Sequence, residues 1–139
     1  KAIELLAEEI QQTIKDANNY DEFKSYANEL LENLGLVQKV IGTLMPHALK
    51  GNFERFLADA TVFMDFLGTI VIGWQWLKTA NAAQQVLIAK NGNQTDAFYE
   101  SKIHTMKFFY TYELTKAKGL AKTLMNEEEL TISVSNDIF

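Results

Sequence analysis

Apolar residues recur at alternating steps of three and four along most of the chain, which predicts helices that each turn one face toward a core. The clearest run consists of Phe23, Ala27, Leu30, Leu34, Val37, Ile41, Leu44 and Ala48. A second run, which predicts the core face of the third helix, consists of Phe53, Phe56, Ala60, Phe63, Leu67, Ile70, Trp74 and Leu77. The chain contains one proline and few consecutive β-branched residues, so strands are not expected. The pattern predicts helices over about 2–17, 21–49, 52–91 and 95–125. Because their links are short, we expect an all-α, up-and-down antiparallel four-helix bundle.

Residue types at the predicted helix ends refine these boundaries. Pro46 is expected to bend or end the second helix near Met45, and Lys50 and Gly51 are expected to close it. Gly92 is expected to supply a left-handed residue after the third helix, and Thr95 is expected to cap the fourth. Beyond Asn126 the helical period is lost. We therefore expect a bundle domain over 1–126 and a C-terminal tail over 127–139.

The most apolar stretch is Phe66–Ala89, and it carries one charge, Lys78. Its uncharged part, Phe66–Leu77, spans twelve residues between Asp65 and Lys78. A membrane span needs about 20 predominantly apolar residues, so no membrane span is expected. A helix that is apolar most of the way round in a soluble chain is covered on more than one side.

Two glycines and two tryptophans lie within this stretch. Each glycine, Gly68 and Gly73, costs a helix interior roughly 1 kcal/mol relative to alanine. We expect the close approach of a neighbouring backbone or ring to offset that cost. Trp74 and Trp76 point about 200° apart on a helix, so one is expected to serve the bundle core and the other a second surface.

Composition removes several classes of function. The net charge is −5, and Arg55 is the only arginine, which argues against nucleic-acid partners. The chain has no cysteine, so disulfides and thiolate zinc sites are excluded. Its two histidines, His47 and His104, show no spacing that would bring them together with carboxylates, so no metal site is expected.

Among the residues that could be catalytic, one carboxylate is predicted to lie on an apolar helix face. Glu113 lies on the apolar face of the fourth predicted helix, between Tyr110 and Ala117. Two interpretations are open: an acid–base or ligand-contacting group, or, more commonly, an edge residue that reaches solvent or a lysine. No glycine-rich phosphate loop, nucleophile elbow or Ser–His–Asp order is present, so we expect no active site within the chain.

Aromatic residues cluster in the stretch HTMKFFYTYEL, which spans His104–Leu114. Consecutive aromatics cover about 200° of a helix, more than an isolated bundle buries. Exposed clusters of this kind mark interfaces. We therefore predict a docking surface formed by Trp76, Phe108, Phe109 and Tyr112. A free-standing helical module for protein–protein interaction is the alternative interpretation, and helix-in-groove binding would suit it.

Two successive helices also carry a family resemblance. The stretches DATVFMDFLGTIVIGWQWLKTANAAQQVL and DAFYESKIHTMKFFYTYELTKAKGLAKTL resemble the C-terminal extension of long-form acyl-CoA dehydrogenases. This is the acetyl-CoA dehydrogenase-like C-terminal domain, which also occurs in the 3-methylmercaptopropionyl-CoA dehydrogenase branch. The resemblance covers roughly residues 53–125. The matching residues are Phe66, Leu67, Trp74, Ala97, Phe98, Tyr99, Lys102, Phe108 and Phe109.

The resemblance implies a longer parent protein that uses FAD to oxidise an acyl-CoA to the 2,3-enoyl-CoA. In that family the catalytic glutamate and the flavin-binding residues lie upstream, so no catalytic or cofactor-binding residue is transferred to this chain. The implied partners are the upstream dehydrogenase domains, the parent's acyl-CoA substrate and further copies in a homo-oligomer. Because the chain opens at Lys1 directly with a helical pattern, we expect it to belong to a longer, cytoplasmic protein.

Overall fold

The structure, a computed structural model, describes residues 2–49 and 53–126 and is helical throughout its regular parts. A short 3₁₀ turn at Asp21–Phe23 precedes the second of five helices in this part of the chain. The helices are α1 (Ala2–Ala17), α2 (Lys24–Leu49), α3 (Phe53–Ala89), α4 (Asp96–Tyr112) and α5 (Lys116–Leu124). The prediction of an all-α fold is confirmed.

The long helix α3 is the centre of the bundle and contacts all four other helices. Helix α1 packs against α2 and α3, and α5 packs against the same two helices. Helix α4 packs mainly along α3. Helices α4 and α5 follow one another in the chain and together take the place of the predicted fourth helix. The arrangement therefore corresponds to the expected four-helix bundle.

The core face of α2 lies where the periodicity places it. The buried residues of that predicted run are Phe23, Ala27, Leu30, Leu34, Val37 and Leu44. Ile41 is half-buried against the same core. A helix with one apolar stripe and one polar face thus reveals its buried side from sequence alone.

The predicted core face of α3 is partly wrong. Ile70 and Leu77 are fully buried as expected, but Phe63 and Leu67 are only half-buried. Phe66, which lay outside the predicted run, is fully buried. Since α3 is apolar on nearly every side, the period of its apolar residues does not distinguish the covered faces from the uncovered one.

The predicted fourth helix over 95–125 is interrupted between Tyr112 and Lys116. At the break, the carbonyl oxygen of Phe109 accepts hydrogen bonds from the backbone N–H groups of Glu113 and Leu114, both at 2.8 Å. Leu114 is fully buried and continues the core face, while Glu113 turns outward. Because of this break, Leu114 takes the core position that the helical period predicts for Glu113.

The second helix does not end at its proline. Pro46 lies inside α2, which continues to Leu49. Proline removes one N–H donor from a helix, and here only one turn follows it, so few bonds are disturbed. The expected closure at Lys50 and Gly51 falls outside the described residues.

The link between α3 and α4 contains a left-handed residue, but not the expected one. Lys90 has φ of 55°, and Gly92 is needed for space instead. A Cβ on Gly92 would lie 2.5 Å from Cγ1 of Val86 and 2.6 Å from Cε2 of Tyr99. The prediction for Thr95 is confirmed, because its hydroxyl accepts from the N–H of Phe98 at 3.2 Å.

The closest approach of α3 to α4 and α5 occurs at Gly73. A Cβ at this position would lie 3.2 Å from Cδ1 of Leu114 and 3.4 Å from Cε1 of Phe109. The buried Tyr110 hydroxyl donates a hydrogen bond of 2.8 Å to the Gly73 carbonyl oxygen. The expected close approach is confirmed here but is wrong for Gly68, where no described neighbour from outside its own turn of helix lies within 4 Å of the Cβ position.

Replacing Gly73 by a large residue tests this contact. We expect Gly73→Leu to lower the free energy of unfolding by about 1–3 kcal/mol, because overpacking outweighs the better helix propensity of leucine. The matched control is Gly42→Leu, since Gly42 has open space around its Cβ position. Chemical denaturation measures both variants. Equal stability of the two would show that α4 does not approach α3 at Gly73.

The carboxylate of Glu29 lies where α2 faces α5. Partial burial raises the pKa of Glu29 above its ordinary 4.5; the charge of Lys118 opposes this shift and that of Glu32 adds to it. The folded protein therefore binds this proton more tightly than the unfolded chain does. By linkage, the free energy of unfolding falls as pH rises from about 4.5 through the raised pKa.

Glu29→Gln is expected to remove that loss. Relative to the wild type, the variant should gain thermal stability between about pH 4 and about pH 7, because the amide has no charge to desolvate. Melting temperatures at the two pH values measure the effect, and Glu8→Gln on the exposed side of α1 is the control. The same pH dependence in wild type and Glu29→Gln would contradict the expectation.

Candidate docking surface

Large apolar side chains are exposed on several parts of the surface. They are Ile3, Leu5, Leu31, Met45, Leu57, Met64, Ile72, Ile88, Phe98, Phe108 and Tyr112. Four of them, Leu57, Met64, Ile72 and Ile88, belong to α3, the most apolar helix. Isolated exposed apolar residues are common, whereas clustered ones mark contact sites.

Phe108 and Tyr112 form an exposed aromatic pair on the outer side of α4. Their side chains are 54% and 60% exposed, and their ring centroids lie 4.8 Å apart with an angle of 43° between the planes. The two residues are one helical turn apart, which brings the rings together. Large aromatic surfaces of this kind are enriched at protein interfaces.

The other two predicted interface residues lie deeper. Phe109 and Trp76 are half-buried and pack against the core. Phe109 lies against Gly73, and Trp76 is one turn further along α3. The structure therefore brings Phe109 toward the α3 junction and leaves Phe108 and Tyr112 as the exposed part of the predicted surface.

Of the two tryptophans, Trp74 lies on the side of α3 that faces α1, and a second surface for Trp76 stays a prediction. The indole N–H of Trp74 donates to the hydroxyl of Thr13 on α1 at 2.8 Å. About two helical turns further on, the side-chain amide of Asn81 donates to the Thr13 carbonyl oxygen at 3.1 Å. Buried hydrogen bonds cost more to break than exposed ones, so Thr13 fixes the register of α1 on α3. Sequence reasoning missed Thr13 and Asn81, because isolated polar residues carry no periodic signal.

Glu113 takes the more common of its two interpretations. Its carboxylate is partly exposed and pairs with the ammonium group of Lys116 at 2.9 Å. This i, i+3 pair lies at the break between α4 and α5. An exposed pair of this kind contributes little to stability.

The histidines lie apart from one another. His104 is exposed and lines a shallow cleft with Glu22, Glu100 and Lys107. His47 belongs to α2, and its side chain lies outside the described part. Among the described residues, no three His, Asp or Glu side chains are grouped closely enough to hold a metal ion.

The cavities do not suit a flavin nucleotide. The two most apolar ones lie between α1, α2 and α3, and the only charged residue that lines them is Glu4. A dinucleotide needs backbone or basic groups that bind its pyrophosphate. These two cavities therefore do not fit FAD, and no chemical step is assigned to their residues.

Helix α3 has an uncovered apolar side. By length and composition, Asp59–Ala89 could cross a membrane, with a mean hydropathy of 1.3 in its most apolar window. Within the bundle, 22% of that window is buried. A core helix of a soluble protein passes the same test. The exposed large apolar residues of this stretch are Met64, Ile72 and Ile88, so part of α3 leaves apolar surface uncovered by the described residues.

Comparison with known proteins identifies the family. No curated protein matches the sequence. The family model described as "Acetyl-CoA dehydrogenase C-terminal like" matches residues 6–135, which is nearly the whole chain. The all-α fold agrees with this C-terminal domain. The chain belongs to the acetyl-CoA dehydrogenase C-terminal-like family.

Proposed function

We propose that this chain is the accessory C-terminal domain of an FAD-dependent acyl-CoA dehydrogenase. Such enzymes oxidise an acyl-CoA to the 2,3-enoyl-CoA. The 3-methylmercaptopropionyl-CoA dehydrogenase branch, homo-oligomerisation and a cytoplasmic location are finer parts of the same proposal. The observation that carries it is the family match over residues 6–135.

The role we propose for the domain is to dock on the catalytic body or on a second subunit. The exposed pair Phe108–Tyr112 offers an apolar contact area. Hydrophobic contact is the main driving force of most protein association. The exposed side of α3 supports this role, since a helix of that composition is stable in water only when it is covered.

A protein surface suits this uncovered side better than lipid does. Crossing a membrane would place Asp65, Lys78 and Asn81 within or beside the hydrocarbon, at a cost of several kcal/mol. It would also carry along the partners of α3, whose outer faces bear charges such as Glu8 and Lys15. The bundle would have to come apart before α3 could enter a bilayer.

FAD would supply the redox chemistry in the parent protein. The two apolar cavities do not fit it, and we place its binding in the preceding dehydrogenase domains, as the family resemblance implies. The domain described here would act by positioning and covering those domains. The acyl-CoA substrate would contact the same upstream part.

Self-association of the isolated domain tests the docking surface. We expect residues 1–139 to form oligomers at micromolar concentrations (about 10–100 μM), because the aromatic pair has no partner surface when the body is absent. Sedimentation velocity measures this. Phe108→Glu should shift the domain toward monomer, whereas Leu31→Glu on α2, with a similar exposure of 48%, should not.

A wild-type domain that sediments as a monomer at every concentration would count against oligomerisation through this surface. Trp76→Glu is a second probe, but Trp76 is half-buried and packs against the core. Its circular dichroism spectrum must match that of the wild type before its sedimentation is compared.

The absorbance spectrum of the full-length parent tests the enzymatic assignment. We expect flavin bands near about 370 and 450 nm that bleach when the correct acyl-CoA thioester is added. Short-chain thioesters and 3-methylmercaptopropionyl-CoA should be compared, because bleaching by one of them names the branch. A well-folded parent without flavin would contradict the proposal and favour the free-standing interaction module.

A further inference from the structure

An apolar cavity of about 150 Å³ lies between α1, α2 and α3. Its wall includes Ile10 and Ile70, which are 2% and 0% exposed. Apart from Glu4 and Gln38, the described residues that line it are apolar. Protein interiors are close-packed and contain few voids larger than a water molecule. A cavity of this size within a small bundle is therefore a candidate binding site.

A second cavity, of about 350 Å³, continues this space outward. Ile3, Ile41 and Phe63 line both cavities. The second is also lined by Met45 and Met64, which are 46% and 64% exposed, and every described residue that lines it is apolar. Because its wall is exposed at the methionines and buried at the inner end, the combined space opens to solvent beside the methionines.

The shape and lining of this space select its ligand. A buried water molecule needs two to four polar partners, and the described lining of the outer cavity offers no polar side chain. A helix with its side chains is about 10 Å across, too wide for the inner cavity between three packed helices. The lining residues of α2 run from Leu34 to Met45, which spans about 16 Å of helix. The space is therefore narrow, long and apolar.

A cavity of about 150 Å³ lined by Leu, Ile and Phe stays dry and accepts an apolar molecule such as benzene. A compact molecule of that size would fill the inner cavity alone. An unbranched aliphatic chain is narrow enough for the inner cavity and long enough to continue into the outer one. It thus matches the whole space better than a compact molecule does.

We propose that the two cavities bind the aliphatic chain of a single-chain amphiphile. The end of the chain lies beside Ile10 and Ile70, and the polar group stays in water at the mouth beside Met45 and Met64. The flexible thioether side chains of methionine adapt to ligands of varied shape. The Glu4 carboxylate repels an anionic group from the inner cavity, which favours this orientation. The inference goes beyond the proposed function and holds whether or not the parent contains flavin.

Photolabelling of the full-length protein tests this inference. The probe is octanol with a photoreactive diazirine on its chain, and mass spectrometry locates the crosslinked residues. We expect crosslinks within residues 3–10, 34–45 and 60–70, which contain the lining of the two cavities. An excess of unmodified octanol should remove these crosslinks, because both molecules compete for the same space.

Filling the cavities should block the labelling. Ala7→Phe places a ring in the inner cavity, so crosslinks at Ile10 and Ile70 should fall by about tenfold. Ala60→Phe does the same for the outer cavity. The matched control is Ala89→Phe, at the exposed end of α3, which should leave the crosslinks unchanged. Circular dichroism shows which variants are folded, and each folded filling variant is a test by itself.

Crosslinks that fall in a folded filling variant and persist in the control would support the inference. Their absence from the three segments of the full-length protein would overturn it. Crosslinks that a folded filling variant leaves unchanged would also overturn it. So would labelling of residues 1–139 alone but not of the full-length protein, since another part of the protein would then fill the space. Flavin absorbance is measured separately, so failure of this inference is distinguishable from failure of the proposed function.

Discussion

The contact at Gly73 positions the whole C-terminal part of the bundle. The missing side chain lets Phe109 and Leu114 approach α3, and the Tyr110 hydroxyl then reaches the Gly73 carbonyl oxygen. At the same level, the Phe109 carbonyl oxygen accepts two backbone N–H groups, and the chain turns from α4 into α5. The turn carries α5 toward α2. Because this junction is closely packed, it fixes the orientation of α4 on α3 and with it the position of the exposed aromatic pair.

A second constraint follows from the composition of α3. Its apolar residues extend round the helix, yet the bundle covers only part of that surface. On one side of α3, Trp74 and Asn81 donate hydrogen bonds to Thr13 of α1. On another side, α4 packs against Gly73. The apolar surface of α3 explains both its resemblance to a membrane span and the apolar cavities between α1, α2 and α3. A domain with such a helix is suited to association with another protein surface.

The sequence predicts the elements whose pattern has a single interpretation. The face of α2 around Leu30 is correct because polar residues occupy its opposite side. For α3 the buried face is partly wrong, since Phe66 and Phe63 look alike in an apolar helix. The break after Tyr112 has no proline or glycine to mark it, and it depends on packing of Leu114 against distant Gly73. The predicted docking residues could be named from aromatic coverage, but which of them are exposed depends on how α4 sits on α3.

We propose that the surface around Phe108 and Tyr112 is covered in the complete protein. Hydroxyl-radical labelling measures side-chain accessibility directly, and both rings are more than half exposed in the bundle. Labelling should be compared between the isolated domain and the full-length protein, with exposed Leu31 on α2 as the internal reference. We expect the labelling of Phe108 and Tyr112, relative to that of Leu31, to be much lower in the full-length protein than in the isolated domain. Equal labelling in the two proteins would contradict it.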